Sequence, residues 1–142
     1  MAGIVIDDWA RSKKADLIRL QQETGTPALW AAAQMCYESA VDGGEGLSEF
    51  AARTNNYARL KWAEWQRDYG CQPVQYDTHD VVNGQTVTRK ETYCACPTWQ
   101  VWLRVYGQEL CRAGRSADPQ YNAGVAEWMA RLAAAYTETP RG

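Results

Sequence analysis

The dipeptide Asn83-Gly84 constrains the fold of this chain more than any other feature. Both residues tolerate the left-handed backbone that a two-residue hairpin turn demands. On either side lie β-prone runs, residues 74–82 and 85–93, and the pattern predicts one β-hairpin. The other long segments read as helix. Residues 6–23 set Ile6, Trp9, Leu17 and Leu20 on one stripe, with Arg11, Lys13, Lys14 and Arg19 among the polar positions. Gly25 ends that run. Thr26 is suited to cap a second helix and Pro27 to open it. Its body, residues 29–39, is rich in Ala and apolar enough to be central and buried.

A short helix is expected over residues 48–54, broken by Asn55-Asn56-Tyr57. Beyond the hairpin, a helix starts at Thr98, after Pro97, and carries Trp99, Trp102, Val105, Tyr106 and Leu110. A last one has Asp118 as cap and Pro119 as first residue, and carries Tyr121, Val125, Trp128, Met129 and Leu132. The order of helices, one hairpin and helices predicts an α+β domain dominated by helix. The 142 residues suit a single domain, residues 1–142.

Charge narrows the function. The net charge is -2 and no basic stripe is present, so neither nucleic acid nor an anionic membrane surface is an expected partner. No apolar run is long enough to span a bilayer. Residues 1–14 lack the pattern of a signal peptide. Seven Trp and eight Tyr stand against one Phe. Rings with an apolar face and a polar tip suit a core, and also a cleft in which a pyranose lies flat. The five Cys, namely Cys36, Cys71, Cys94, Cys96 and Cys111, are odd in number. Cys94-x-Cys96 has the wrong spacing for a zinc knuckle, with no second pair beside it. The Cys read as buried thiols, or as one or two disulfides outside the cytosol. No metal or organic cofactor is expected. His79, the single His, reads as a surface strand residue.

Glu38 is the residue whose setting points to chemistry. It falls in the last turn of the apolar second helix, before Asp42-Gly43-Gly44. The negative end of the helix dipole and burial both disfavour a charged carboxylate there. A general acid that keeps its proton near neutral pH needs such an environment. Glycoside hydrolysis pairs that donor with a second group that activates water or stabilises the oxocarbenium-like transition state. The acids of the hairpin, Asp80 and then Glu91, are candidates for it, as are Glu45 and Glu49.

The motifs point the same way. Ala32-Ala33-Gln34-Met35-Cys36-Tyr37-Glu38-Ser39 resembles the "AQAxxES" helix of the glucosaminidases in glycoside hydrolase family 73. Leu47-Ser48-Glu49-Phe50-Ala51 with Asn55-Asn56-Tyr57-Ala58-Arg59-Leu60-Lys61 is similar to that family's "SxLA…NNLFGIK", Arg59 standing where the family prefers Gly. Thr78-His79-Asp80-Val81-Val82-Asn83-Gly84 is similar to "TxEyxnG", with Asp in place of Glu. Tyr93-Cys94-Ala95-Cys96-Pro97-Thr98-Trp99 takes the place of "FRxYxSW". Ala135-Tyr136-Thr137-Glu138-Thr139-Pro140 resembles "GYATDPxY".

The resemblance implies a lysozyme-like helical domain with one hairpin. It implies an enzyme that cleaves the N-acetylglucosamine-β-1,4-N-acetylmuramic acid bond of peptidoglycan. Glu38 is then the catalytic acid, Asp80 the second carboxylate and Tyr136 the hydroxyl that steadies the acetamido group or the developing charge. Ser39, Asn55, Asn56, Tyr57 and Trp62 are expected at the substrate, with Trp65 a further sugar platform. The expected partner is the peptidoglycan glycan strand in the periplasm or cell wall. Two settings fit: a phage-borne lysin, or an effector injected by a type VI secretion apparatus. An effector would need a cognate immunity protein in its cleft. The alternatives are a muramidase or lytic transglycosylase, and an inactive module that only binds peptidoglycan or a partner.

Overall fold

The computed structural model describes residues 5–109 and 118–137; of these, the side chains of Asp42, Asp80, Glu109 and Thr137 are left aside. Leu110, Cys111 and the Glu138-Thr139-Pro140 end of the last motif lie outside the described residues. Helix α1 (Ile6–Thr24) buries the expected stripe of Ile6, Trp9, Leu17 and Leu20. Asp7 and Asp8 complement the dipole in its first turn, and Gly25 closes it in the left-handed conformation, φ 82°.

Helix α2 (Ala28–Ser39) is the central element and packs against α5 (Pro119–Thr137) and α1. Its small, apolar residues Ala28, Ala31, Ala32, Met35 and Cys36 are all buried, so neighbouring backbones approach closely. One local expectation fails. The cap position falls on Pro27, which stands just outside the helix in extended backbone and makes no side-chain cap. The orphan amide of Ala28 is satisfied by Gln21 Oε1 at 2.8 Å. A side chain of α1 thus caps α2, a tertiary contact that the local pattern of Thr26-Pro27 does not encode.

After α2 the chain makes a short antiparallel pair, β1 (Ala40–Val41) with β2 (Gly46–Leu47), around the Asp42–Gly44 turn. Helix α3 (Glu49–Thr54) follows, its first turn capped by Ser48 Oγ, which accepts from Ala51 N at 3.0 Å. A 3-10 helix, Glu64–Tyr69, precedes the hairpin. Strands β3 (Gln72–Val82) and β4 (Gln85–Ala95) pair antiparallel in unbroken register around Asn83-Gly84, both at positive φ. Helix α4 (Trp99–Glu109) starts where Thr98 Oγ1 accepts from Val101 N. Helix α5 is capped by Asp118, whose Oδ1 accepts from Gln120 N at 2.9 Å.

The loop from α3 to the 3-10 helix anchors the hairpin. The Trp62 amide donates to Thr92 O, Cys94 N to Leu60 O and Cys96 N to Thr54 O, so the outer edge of β4 is covered at its base. Asn56 is the hinge pin of that loop, 1 % exposed. Its Nδ2 donates to Leu60 O and to Cys94 O, each at 2.9 Å, and its Oδ1 accepts from Leu60 N at 2.9 Å. Truncating it strands the Leu60 amide and the Cys94 carbonyl, each worth about 1–3 kcal/mol when left unpaired, and removes one of the two bonds to the Leu60 carbonyl. Asn56→Ala is expected to lower stability by about 3 kcal/mol or more in urea unfolding followed by tryptophan fluorescence.

Candidate active site

Glu38 stands half-buried on the wall of an open cavity of about 360 Å³. The end of α2 and β1 form one side of this cavity through Glu38, Ser39, Ala40 and Val41. Ser48 and Phe50 from the start of α3 and Asn56 and Arg59 from the loop also line it. Tyr76, Asp77, Thr78 and His79 of β3 and Tyr93 of β4 form the facing wall. The hairpin thus reaches across from the end of the central helix.

Burial is the main cause that pushes the Glu38 carboxyl above its ordinary pKa of 4.5. The Arg59 guanidinium and a hydrogen bond from the Tyr121 hydroxyl oppose it without cancelling it. Tyr121 is held from behind. Gln34 Nε2 donates to the Tyr121 oxygen at 3.0 Å, and Tyr106 donates to Gln34 Oε1 at 2.6 Å. This chain of groups runs from α4 through α2 to α5 and ends on the carboxyl. Gly124 makes room for it: a Cβ there would lie 2.0 Å from Tyr37, whose ring packs edge-on against Tyr121 at 5.0 Å.

Arg59 has φ 52°, the conformation in which Gly carries no steric cost. The turn expected of a Gly is therefore kept with Arg, at a strain of about 1 kcal/mol. The side chain also closes on the end of α2, where Arg59 Nε donates to the Glu38 carbonyl at 3.0 Å. That carbonyl is one of the orphan acceptors of a helix end.

The other sequence candidates divide. Ser39 and Asn56 reach the cavity wall, but their side chains are committed to the backbone. Ser39 Oγ donates to Tyr57 O at 2.6 Å, and Asn56 makes the bonds described above. Asn55 ends α3 at φ 51° and donates to Cys96 O at 3.2 Å. Tyr57 is a core ring, 4 % exposed, packed against Trp9, Trp99 and Trp102. Trp62 is held by Glu64 and stacked under Arg67, and Trp65 packs on Tyr69, both off the cavity. Tyr136 lies outside the cavity lining, and its hydroxyl donates to Ala10 O at 3.1 Å, which ties α5 to α1. Glu91 pairs with Lys61. Asp80 is paired across the ladder with Val87, and its side chain lies outside the described ones.

Three groups that the sequence reasoning passed over take their places. The rings of Phe50, Tyr76 and Tyr93 form the aromatic surface of the cavity, Phe50 lying 4.7 Å from Tyr76 and 5.4 Å from Tyr93. Asp77 supplies a second carboxylate to the lining. Tyr121, read only as a core ring of the last helix, supplies the hydroxyl. A signal for it existed: Asp118-Pro119-Gln120-Tyr121 carries the Asp-Pro-x-Tyr ending of "GYATDPxY" more fully than the segment after Tyr136.

Because burial raises the Glu38 pKa, ionising it opposes folding. The stability of the neutral form is full below the unfolded value near 4.5 and is lost as pH rises through the folded one. Glu38→Gln is expected to raise the thermal midpoint at neutral pH and to leave it unchanged well below 4.5. Circular dichroism melts at the two pH values check this, and an equal midpoint at neutral pH contradicts it.

No protein-family model and no curated protein sequence matches the chain. Solved structures do. The chain is similar to the C-terminally truncated glycoside hydrolase domain of Salmonella typhimurium FlgJ, with a TM-score of 0.63 at 16 % identity, covering 91 % of this chain and 98 % of that one. It is similar also to a peptidoglycan hydrolase mutant from Sphingomonas sp. A1, with a TM-score of 0.60 at 16 % identity, covering 91 % and 97 %. The likeness establishes the fold, a mainly helical α+β, lysozyme-like arrangement with one long hairpin among the described residues.

Proposed function

We propose that this chain is a glycoside hydrolase acting on the glycan strands of peptidoglycan. The observation that carries the reading is Glu38. It is a carboxyl whose pKa burial raises above its ordinary value, at the end of an apolar helix and on the wall of an open, aromatic-lined cavity. The fold shared with a glycoside hydrolase domain and a peptidoglycan hydrolase supports it.

In this reading Glu38 protonates the glycosidic oxygen as it leaves, and the bond is the one from N-acetylglucosamine to N-acetylmuramic acid. A hairpin carboxylate acts from the facing wall, activating water or orienting the substrate's own 2-acetamido group. Asp77 fills that place by position in the cavity lining, and Asp80 by resemblance. Phe50, Tyr76 and Tyr93 offer apolar faces to the sugar rings. Tyr121 orients the Glu38 carboxyl and accommodates its charge after proton transfer. Work in the cell wall follows from the substrate. For an injected effector, the same cavity would be where an immunity protein blocks the enzyme.

Purified sacculi digested by the wild type are expected to yield borohydride-reduced N-acetylglucosamine ends by mass spectrometry. Loss of a general acid costs about 10²–10⁴ in rate, so Glu38→Gln is expected to lose at least that. Of Asp77→Asn and Asp80→Asn, the variant with the larger loss marks the hairpin carboxylate. Intact sacculi with the protein bound would make this a binding module. Reduced N-acetylmuramic acid ends would make it a muramidase, and anhydro ends a lytic transglycosylase.

Tyr121→Phe removes an interaction that favours the Glu38 carboxylate. Its pKa rises further, and the alkaline limb of the pH–rate profile is expected to move to higher pH. A limb that stays in place would show that Tyr121 does not act on the acid.

A further inference from the structure

Away from the Glu38 cavity, three buried thiols meet at the base of the hairpin. Cys71 precedes β3 and stands directly opposite Cys96, one step beyond the Gln72–Ala95 pair. Cys94 lies two residues back along β4, on the same face as Cys96. The Sγ atoms of Cys71 and Cys96 are 3.5 Å apart and those of Cys94 and Cys96 3.7 Å apart, and all three lie within 4.8 Å of one another. Cys71 and Cys94 are fully buried, and Cys96 is 3 % exposed. The spacing of Cys94-x-Cys96 hides this group, because the third thiol comes from the other strand.

We propose that Cys71, Cys94 and Cys96 form a binding site for a soft thiophilic cation, zinc or monovalent copper. Thiolates bind zinc at about 2.3 Å, which sets tetrahedral ligand sulfurs about 3.8 Å apart. The two separations at Cys96 are close to that edge, and the Cys71–Cys94 separation is within 4.8 Å. Thiolate sets without oxygen ligands select zinc and Cu(I). Cys96 is nearly equidistant from its two neighbours, so no one pair is singled out for a disulfide, whereas a cation engages all three.

The backbone of the site is preset. The amides of Cys71, Cys94 and Cys96 donate outward to Gln66, Leu60 and Thr54 carbonyls, which leaves the side chains converging inward. On binding, each metal–sulfur bond replaces an S–H bond and its proton goes to solvent. For zinc the fourth position falls to a small exogenous ligand. The ion would pin the start of β3 to the end of β4, with Cys71 five residues before Tyr76 and Cys94 next to Tyr93 of the cavity wall.

The test uses the whole chain, purified reduced and equilibrated with zinc, or anaerobically with Cu(I), and read by native mass spectrometry. One equivalent of either ion is expected in the wild type and in Cys36→Ala, and none in Cys96→Ser. Should Cys96→Ser fail to fold, X-ray absorption on the loaded wild type decides, three sulfur neighbours being expected and fewer overturning the site. A fully reduced chain that takes up neither ion overturns it. So does a chain isolated without reductant that holds a Cys71–Cys96 disulfide and cannot be loaded after reduction.

Discussion

The buried carboxamide of Asn56 is the joint on which the arrangement depends. It binds its own loop through both groups of Leu60, and reaches across to the Cys94 carbonyl of β4. A two-stranded hairpin alone is marginal in water, and this one has exposed strands along most of its length. Asn56 and the three backbone bonds around it give the base of β4 a third edge and fix where the hairpin projects. The cavity exists because that projection brings Tyr76 and Asp77 across from the end of α2.

A second constraint opposes the first. The end of α2 is a poor place for a carboxylate, since burial and the helix terminus both favour the neutral acid. The protein meets part of that cost with Arg59 and Tyr121, and each has a cost of its own. Arg59 occupies a left-handed turn. Tyr121 needs the Gln34–Tyr106 chain behind it, and Tyr37, which packs on its ring, needs a glycine at position 124. A local rule is broken at Arg59 in the site, while the caps at Ser48, Thr98 and Asp118 are ordinary.

That contrast explains what the sequence revealed. Helix starts at Thr98 and Asp118, the stop at Gly25 and the turn at Asn83-Gly84 are local signals, and the elements form where they predict. The Glu64–Tyr69 turn and the β1–β2 pair carry no periodicity and arise from tertiary contacts. The setting of Glu38 was legible because its place in the last turn of an apolar helix is a local signal. The cavity's rings and Asp77 were not, since which hairpin side chains face α2 depends on the projection that Asn56 sets. Tyr57 and Tyr136 were placed at the substrate by motif position, which carries no packing information; Tyr57 packs against Trp9 and Trp102, and the Tyr136 hydroxyl bonds to the Ala10 carbonyl. The thiol cluster needed the strand register, which no spacing within one strand supplies.

The most direct measurement is the titration of Glu38 itself, by carbon NMR of the glutamate-labelled protein with Glu38→Gln to assign the signal. The account predicts a carboxyl that titrates clearly above 4.5 and higher again in Tyr121→Phe. A Glu38 that titrates at or below 4.5 would contradict it, because the helix end would then hold an ordinary carboxylate with no proton to give.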